Sequence, residues 1–295
     1  MKKRKASLSK ILIHLALGGF CAFCLLPMLM VISISFTPES VIRVNGYSLI
    51  PSKLSLEAYK YIFLKPMQIV RAYGVTITTT VCGVAIGLWC TSTLAYAISR
   101  ADYAYRNMTM RFVFFTMLFS GGLTATYMLV ARGLHMKDTL FALILPSAMQ
   151  GWYVLLMRGF FSSLPSSVIE SAKIDGASEL QTFTKVVLPI SVPGMATVGL
   201  FLALGYWNDW YASLLYIDNP NLVSLQFLLY KTMSNIEFLK SIASQIAGLK
   251  IDVMSLPSLS ARMAMCVVAA GPMLVAFVFL QKYFIKGITV GSIKG

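Results

Sequence analysis

Charge is what this sequence has least of. Only 12% of its 295 residues are Asp, Glu, Lys or Arg, against 57% hydrophobic, and the mean hydropathy is +0.74. A soluble domain carries about 25% charged residues, so half that content argues against a water-soluble fold and points to lipid as the solvent. Acid is scarcer than base: 11 Asp and Glu stand against 25 Lys and Arg, for a formal net charge of +14. Only two histidines occur, His14 and His135, far apart in sequence, so no imidazole cluster suggests a metal. The five cysteines make no framework either. Cys21 and Cys24 read C-x-x-C, but inside an apolar run and without the second pair of ligands a zinc site needs. No Gly-Lys dipeptide occurs, so no P-loop can be written and the chain has no such ATP site. The scattered acids and sparse histidines leave no nucleophile–base cluster for an enzyme.

Long apolar stretches are what the sequence does have. A helix needs about 20 apolar residues to cross about 30 Å of hydrocarbon. Six stretches qualify, at about 11–34, 73–98, 112–131, 140–157, 193–217 and 263–280. The expected fold is therefore an all-α integral membrane protein with six transmembrane helices. The basic start, MKKRKASLSK, resembles the head of a secretory signal. The run after it is too long for a signal core and no A-x-A site follows, so an uncleaved first span is expected. An even number of spans puts both termini on one side, and the basic head puts them in the cytoplasm. Arg100, Arg106 and Arg111 in a short loop agree, as do Lys282, Lys286 and Lys294. Segments 36–70 and 218–260, expected outside, also carry lysines, but long loops cross with less regard to charge. The positive excess is read as span-end residues facing anionic lipid rather than nucleic acid. Gly, Ala, Ser and Thr crowd the second and third spans, which suits close helix packing as well as ordinary span composition.

One polar segment interrupts this pattern, ESAKIDGASELQTFTKVVLPISVP from Glu170 to Pro193. Ser167-x-x-Glu170 and Ser178-x-x-Gln181 both have the capping-box spacing. Gly176 stands where a left-handed residue ends a helix. The spacing predicts two short helices over 163–190, the second burying Leu180, Phe183 and Val187 on one face and stopping before Pro189. A mere linker needs neither two caps nor an apolar face. A DNA-binding helix-turn-helix needs more than Lys173 and Lys185. Docking of a cytoplasmic partner fits the pattern.

Those residues also carry a resemblance. Glu170-Ser171-Ala172, three residues, Gly176, nine residues, Val186, one residue, Leu188-Pro189 resembles the EAA loop of binding-protein-dependent ABC importer permeases, with Ser171 in place of an Ala. Asp175-Gly176-Ala177-Ser178 is similar to the carbohydrate branch of that family, the maltose-type inner-membrane permeases. FSGGLTATYMLV, YWNDWYASLLYI and the run from Leu256 to the end resemble other parts of it, most closely in permeases for complex oligosaccharides and polysaccharides. A proline expected near Ala125 is absent. The resemblance implies a type I ABC importer permease whose two-helix unit docks in a cleft of an ATPase. Glu170, Ala172, Asp175, Gly176 and Ala177 would make the contact. The tail, with Ser292 and Lys294, is implied as a second contact; a frayed terminus is the alternative. The implied partners are a cytoplasmic ATPase dimer, a second and different permease, an extracytoplasmic solute-binding protein, a carbohydrate and membrane lipid. No cofactor is expected on this chain, since ATP and Mg would sit in the ATPase. The location implied is the bacterial cytoplasmic, or inner, membrane.

Trp207, Asn208, Asp209 and Trp210 lie within the fifth stretch, Asp209 about 12 Å from its outer end at 1.5 Å per residue. A carboxylate there is a site candidate, and aromatic faces beside hydrogen-bonding groups suit sugars. An interfacial aromatic belt with a partly hydrated Asp is the other reading, and in maltose-type relatives much of the sugar contact lies in the partner permease. Tyr127 and Gln150 are lesser candidates. An ion-coupled secondary transporter is the rival function. It would require coupling carboxylates or broken helices in matched halves, whereas Asp209 is alone and no repeat is visible.

Overall fold

The computed structural model describes the backbone of residues 8–245 and 259–292, and side chains of residues 10, 12–238 and 259–278. Every regular element among the described residues is helical. Among the described residues, three helices are long and apolar enough by themselves to cross a membrane, within Leu12–Ser35, Pro66–Ser99 and Leu259–Val278. The second begins seven residues before the expected stretch, with Pro66 at its first position, where a missing N–H costs nothing.

The other three expected spans are helical but interrupted. Arg106–Leu118 and Gly122–Gly133 meet at 113°, and Leu140–Ser147 and Gly151–Ser162 at 53°. Gly122, at φ +76°, lies at the first break, and Pro146 sits in the 3-10 turn before the second. The fifth stretch runs as Val192–Trp207 and then Tyr211–Tyr216. A further bend of 82° separates Val192–Trp207 from the preceding Glu179–Ile190. Glycine and proline mark the first two breaks, as backbone sterics lead one to expect. No such residue marks the third, at 208–210.

The chain divides into two compact units, Met1–Pro66 with Lys231–Pro272, and Met67–Tyr230 with Met273–Gly295. In the first, Glu39 is a buried carboxylate. It accepts the Leu259 and Ser260 backbone N–H groups at 3.0 and 3.1 Å and the Ser260 hydroxyl at 3.1 Å. The free donors at the start of the last helix thus meet a negative charge. Leu12–Ser35 buries none of its apolar window within the chain, leaving that surface for lipid or another subunit.

The second unit is organised by Pro66–Ser99. Its buried residues include Ala72, Thr76, Thr79, Gly83, Gly87, Thr91 and Ala95, a stripe of small side chains at helical spacing. A Cβ on Gly83 would lie 2.4 Å from the Tyr206 ring, and one on Gly87 would lie 2.6 Å from the Ala148 carbonyl oxygen. The stripe therefore admits neighbouring elements to backbone contact. Such packing holds helices together where lipid supplies no hydrophobic drive between them. At the far end of the helix, Tyr96 and Ile98 join Phe161, Ile169, Phe183 and Val187 in one buried cluster, and on this cluster the polar segment rests.

Candidate functional site

The polar segment is a helix–turn–helix unit. Its first helix is Ser166–Ile174, entered from Pro165 in extended conformation. The expected Ser167–Glu170 capping box does not form: no side-chain cap is present. The helix starts two residues earlier than that spacing assumes, so Ser167 is already inside it and its hydroxyl is not at a cap. The other end is as expected. Gly176 has φ +79°, its N–H bonds the Lys173 carbonyl at 3.0 Å, and the Ala177 N–H reaches back to the Ala172 carbonyl at 3.0 Å. These two bonds make a Schellman stop, which needs a residue at ease in the left-handed region.

The second helix opens with the capping box expected from Ser178. The Ser178 hydroxyl accepts the Gln181 N–H at 3.3 Å, and the Gln181 side chain accepts the Ser178 N–H at 2.9 Å. The helix does not stop before Pro189. It runs Glu179–Ile190 through a π turn at Thr182–Val187, and this wide turn takes up the loss of the proline N–H. Phe183 and Val187 are buried at 3% and 1%, but Leu180 is 62% exposed, against expectation. A π turn lags behind the α-helical advance, so Leu180 and Val187 no longer share a face. Ile174, on the other side of the turn, is 86% exposed.

Of the residues singled out from the sequence, Glu170, Asp175 and Gly176 are exposed and Ala172 and Ala177 half-buried. They gather on the outer helix and its turn. Beneath them lies a network not legible in the sequence. Arg100 donates to both Asp102 oxygens at 3.0 and 2.7 Å. Lys173 Nζ lies 3.0 Å from Asp102 Oδ2 and 2.6 Å from Glu179 Oε1, and the Tyr96 hydroxyl donates to Glu179 Oε2 at 3.2 Å. The hydrogen bonds from Arg100, then Lys173, pull the Asp102 carboxyl down to about 2. Lys173 pulls Glu179 down, and these carboxylates hold Lys173 above its usual value, Glu179 foremost. Between the 99–102 segment and the first helix is a cleft of about 500 Å³ that includes Glu170 and Ser166 in its wall. The one sequence signal for the network is the opposite charge of Arg100 and Asp102 just beyond a long helix.

The fifth-stretch candidates separate. Gln150, Asn208, Asp209 and Trp210 line one cleft of about 270 Å³ with Tyr153, Tyr206 and Tyr211. Trp207 is buried, its ring 6.5 Å from that of Tyr73. Tyr127 stacks on Tyr216 at 6.0 Å and does not line the cleft. Asp209 has a local task, since its Oδ1 accepts the Ala212 N–H at 2.9 Å and caps the helix after the break. Ser292 is the last residue of the last helix, and Lys294 lies outside the described residues.

Comparison with known proteins agrees over nearly the whole length. Residues 83–290 match the family described as binding-protein-dependent transport system inner membrane component. Protein LplC of Bacillus subtilis (strain 168) is 39% identical across 95% of this chain and 93% of its own. The polygalacturonan/rhamnogalacturonan transport system permease protein YtcP of the same organism is 37% identical across 99% of this chain and 100% of its own. Among solved structures, a bacterial ABC transporter involved in the import of the acidic polysaccharide alginate superposes with a TM-score of 0.78 at 26% identity, covering 96% of this chain and 100% of that one.

Proposed function

This chain belongs to the family of binding-protein-dependent transport system inner membrane components, and from that premise we propose that it is the permease subunit of an ATP-driven importer of a carbohydrate of oligosaccharide size, with its ATPase docking on residues 163–190. The relatives support the carbohydrate reading, one being named a polygalacturonan/rhamnogalacturonan transport system permease and one a transporter involved in the import of the acidic polysaccharide alginate. ATP and Mg are handled by a separate ATPase dimer, and a second permease completes the pore. A binding protein delivers the sugar to the outer side, and both termini face the cytoplasm. Closure of the ATPase dimer drags the two-helix unit inward and switches the spans from inward- to outward-facing. Glu170, Ala172, Asp175, Gly176 and Ala177 form the contact, and Ser292 with Lys294 a second, smaller one. Gln150, Asn208, Asp209 and Trp210 are the residues of this chain closest in kind to a sugar contact.

The observation that carries the docking reading is the exposure of Ile174 and Leu180, at 86% and 62%, on either side of a turn fixed by a Schellman stop and a capping box. Large apolar side chains held out on a rigid polar unit mark a protein contact. The test is the double substitution Ile174→Asp with Leu180→Asp. The chain should still insert, while its association with the ATPase weakens by about tenfold or more, the scale of a buried apolar anchor. Undiminished association and ATP-driven uptake would remove the docking reading.

A further inference from the structure

The two helices of the docking unit meet the rest of their unit in two different ways. Ile169, Phe183 and Val187 join the buried cluster, a contact that is non-directional and lets surfaces slide. The network of charges is directional. Lys173 on the first helix and Glu179 on the second are joined across the turn at 2.6 Å. Each is then tied to the end of one long helix, Pro66–Ser99: Glu179 through the Tyr96 hydroxyl in its last turn, Lys173 through Asp102, which Arg100 grips with two bonds just past that end. The result is a chain of five side chains, Tyr96–Glu179–Lys173–Asp102–Arg100, anchored at both ends on the end of that helix and the residue just past it. The side chains of Asp102, Lys173 and Glu179 are 55%, 37% and 59% exposed, and exposed pairs contribute little to stability. Their geometry is more than folding requires.

We propose that Asp102, Lys173 and Glu179 form a strut that makes the end of the Pro66–Ser99 helix follow the docking unit, so that they position the transport step without touching ATPase or sugar. This rests on the permease reading above, in which an ATPase moves that unit. Lys173 is the keystone, because it alone bonds both carboxylates. The apolar cluster keeps the unit attached when the strut is cut, and the strut keeps the attachment from slipping.

The test uses the whole transporter, purified with its ATPase and sister permease in lipid nanodiscs. Hydrogen exchange is compared before and after trapping with Mg-ATP and vanadate. In the wild type, exchange changes in both 166–190 and 93–105. In Lys173→Met and Asp102→Asn, the change over 166–190 and the rate of ATP hydrolysis stay within about twofold, while the change over 93–105 falls about threefold or more, the size of a typical coupling perturbation. Lys173→Arg restores it. The strut is overturned if 93–105 responds at full size in both variants. It is equally overturned if 166–190 and ATP hydrolysis are lost with it, since the network would then only shape the docking surface. A wild-type transporter in which 166–190 ignores trapping sinks the docking reading itself, and the strut with it.

Discussion

At the residue scale, three side chains have separable tasks. Gly176 holds φ +79° at the turn of the two-helix unit, a conformation costing about 1–3 kcal/mol for most residues. Gly176→Val should lower the yield of co-purifying ATPase without affecting insertion, whereas Gly176→Asn, which tolerates the left-handed region, should retain most of it. Asp209 caps the helix after the break in the fifth stretch. Asp209→Ala should cost about 1 kcal/mol in thermal unfolding, while Asp209→Asn, an equally good cap, should keep the stability. If Asp209→Asn keeps stability but lowers uptake, its carboxylate also meets the sugar. Asp102 is held at about 2 against an ordinary 3.8. A depressed carboxyl contributes stability that is complete above the ordinary value and lost as pH falls through the folded one. The small advantage of wild type over Asp102→Asn in unfolding midpoint should therefore be present near neutrality and vanish as pH drops from about 3.8 to about 2.

At the element scale, close packing and breaks decide the architecture. Gly87 faces the backbone oxygen of Ala148, which cannot swing aside as a side chain can. Gly87→Ala should lower stability by about 1–3 kcal/mol, the cost of overpacking, measured as a loss of thermal midpoint in detergent. The apolar runs and the Schellman turn were legible because each is written in consecutive residues with one physical meaning. Gly122 and Pro146 mark two of the interruptions, but neither residue by itself tells the size of its bend. The gap at 208–210 carries no glycine or proline and looked continuous. The π turn at Thr182–Val187 has no sequence signature, and through it Leu180 was assigned to the wrong face. The Asp102–Lys173 pair joins residues 71 positions apart, a separation that a single sequence does not bridge.

At the scale of the whole molecule, charge is scarce, at 12% of the residues. Family membership makes it one part of an importer, and the surface left by Leu12–Ser35, with no burial of its window inside the chain, is consistent with neighbours of lipid or protein. The central claim is that residues 163–190 dock a separate ATPase. The most direct measurement is a zero-length cross-link in native membranes between Glu170 or Asp175 and a lysine of a partner, read by mass spectrometry. The account predicts cross-linked peptides from an ABC ATPase, lost when Ile174→Asp and Leu180→Asp are combined. Cross-links only to other membrane chains, with no ATPase peptide in wild type, would contradict it.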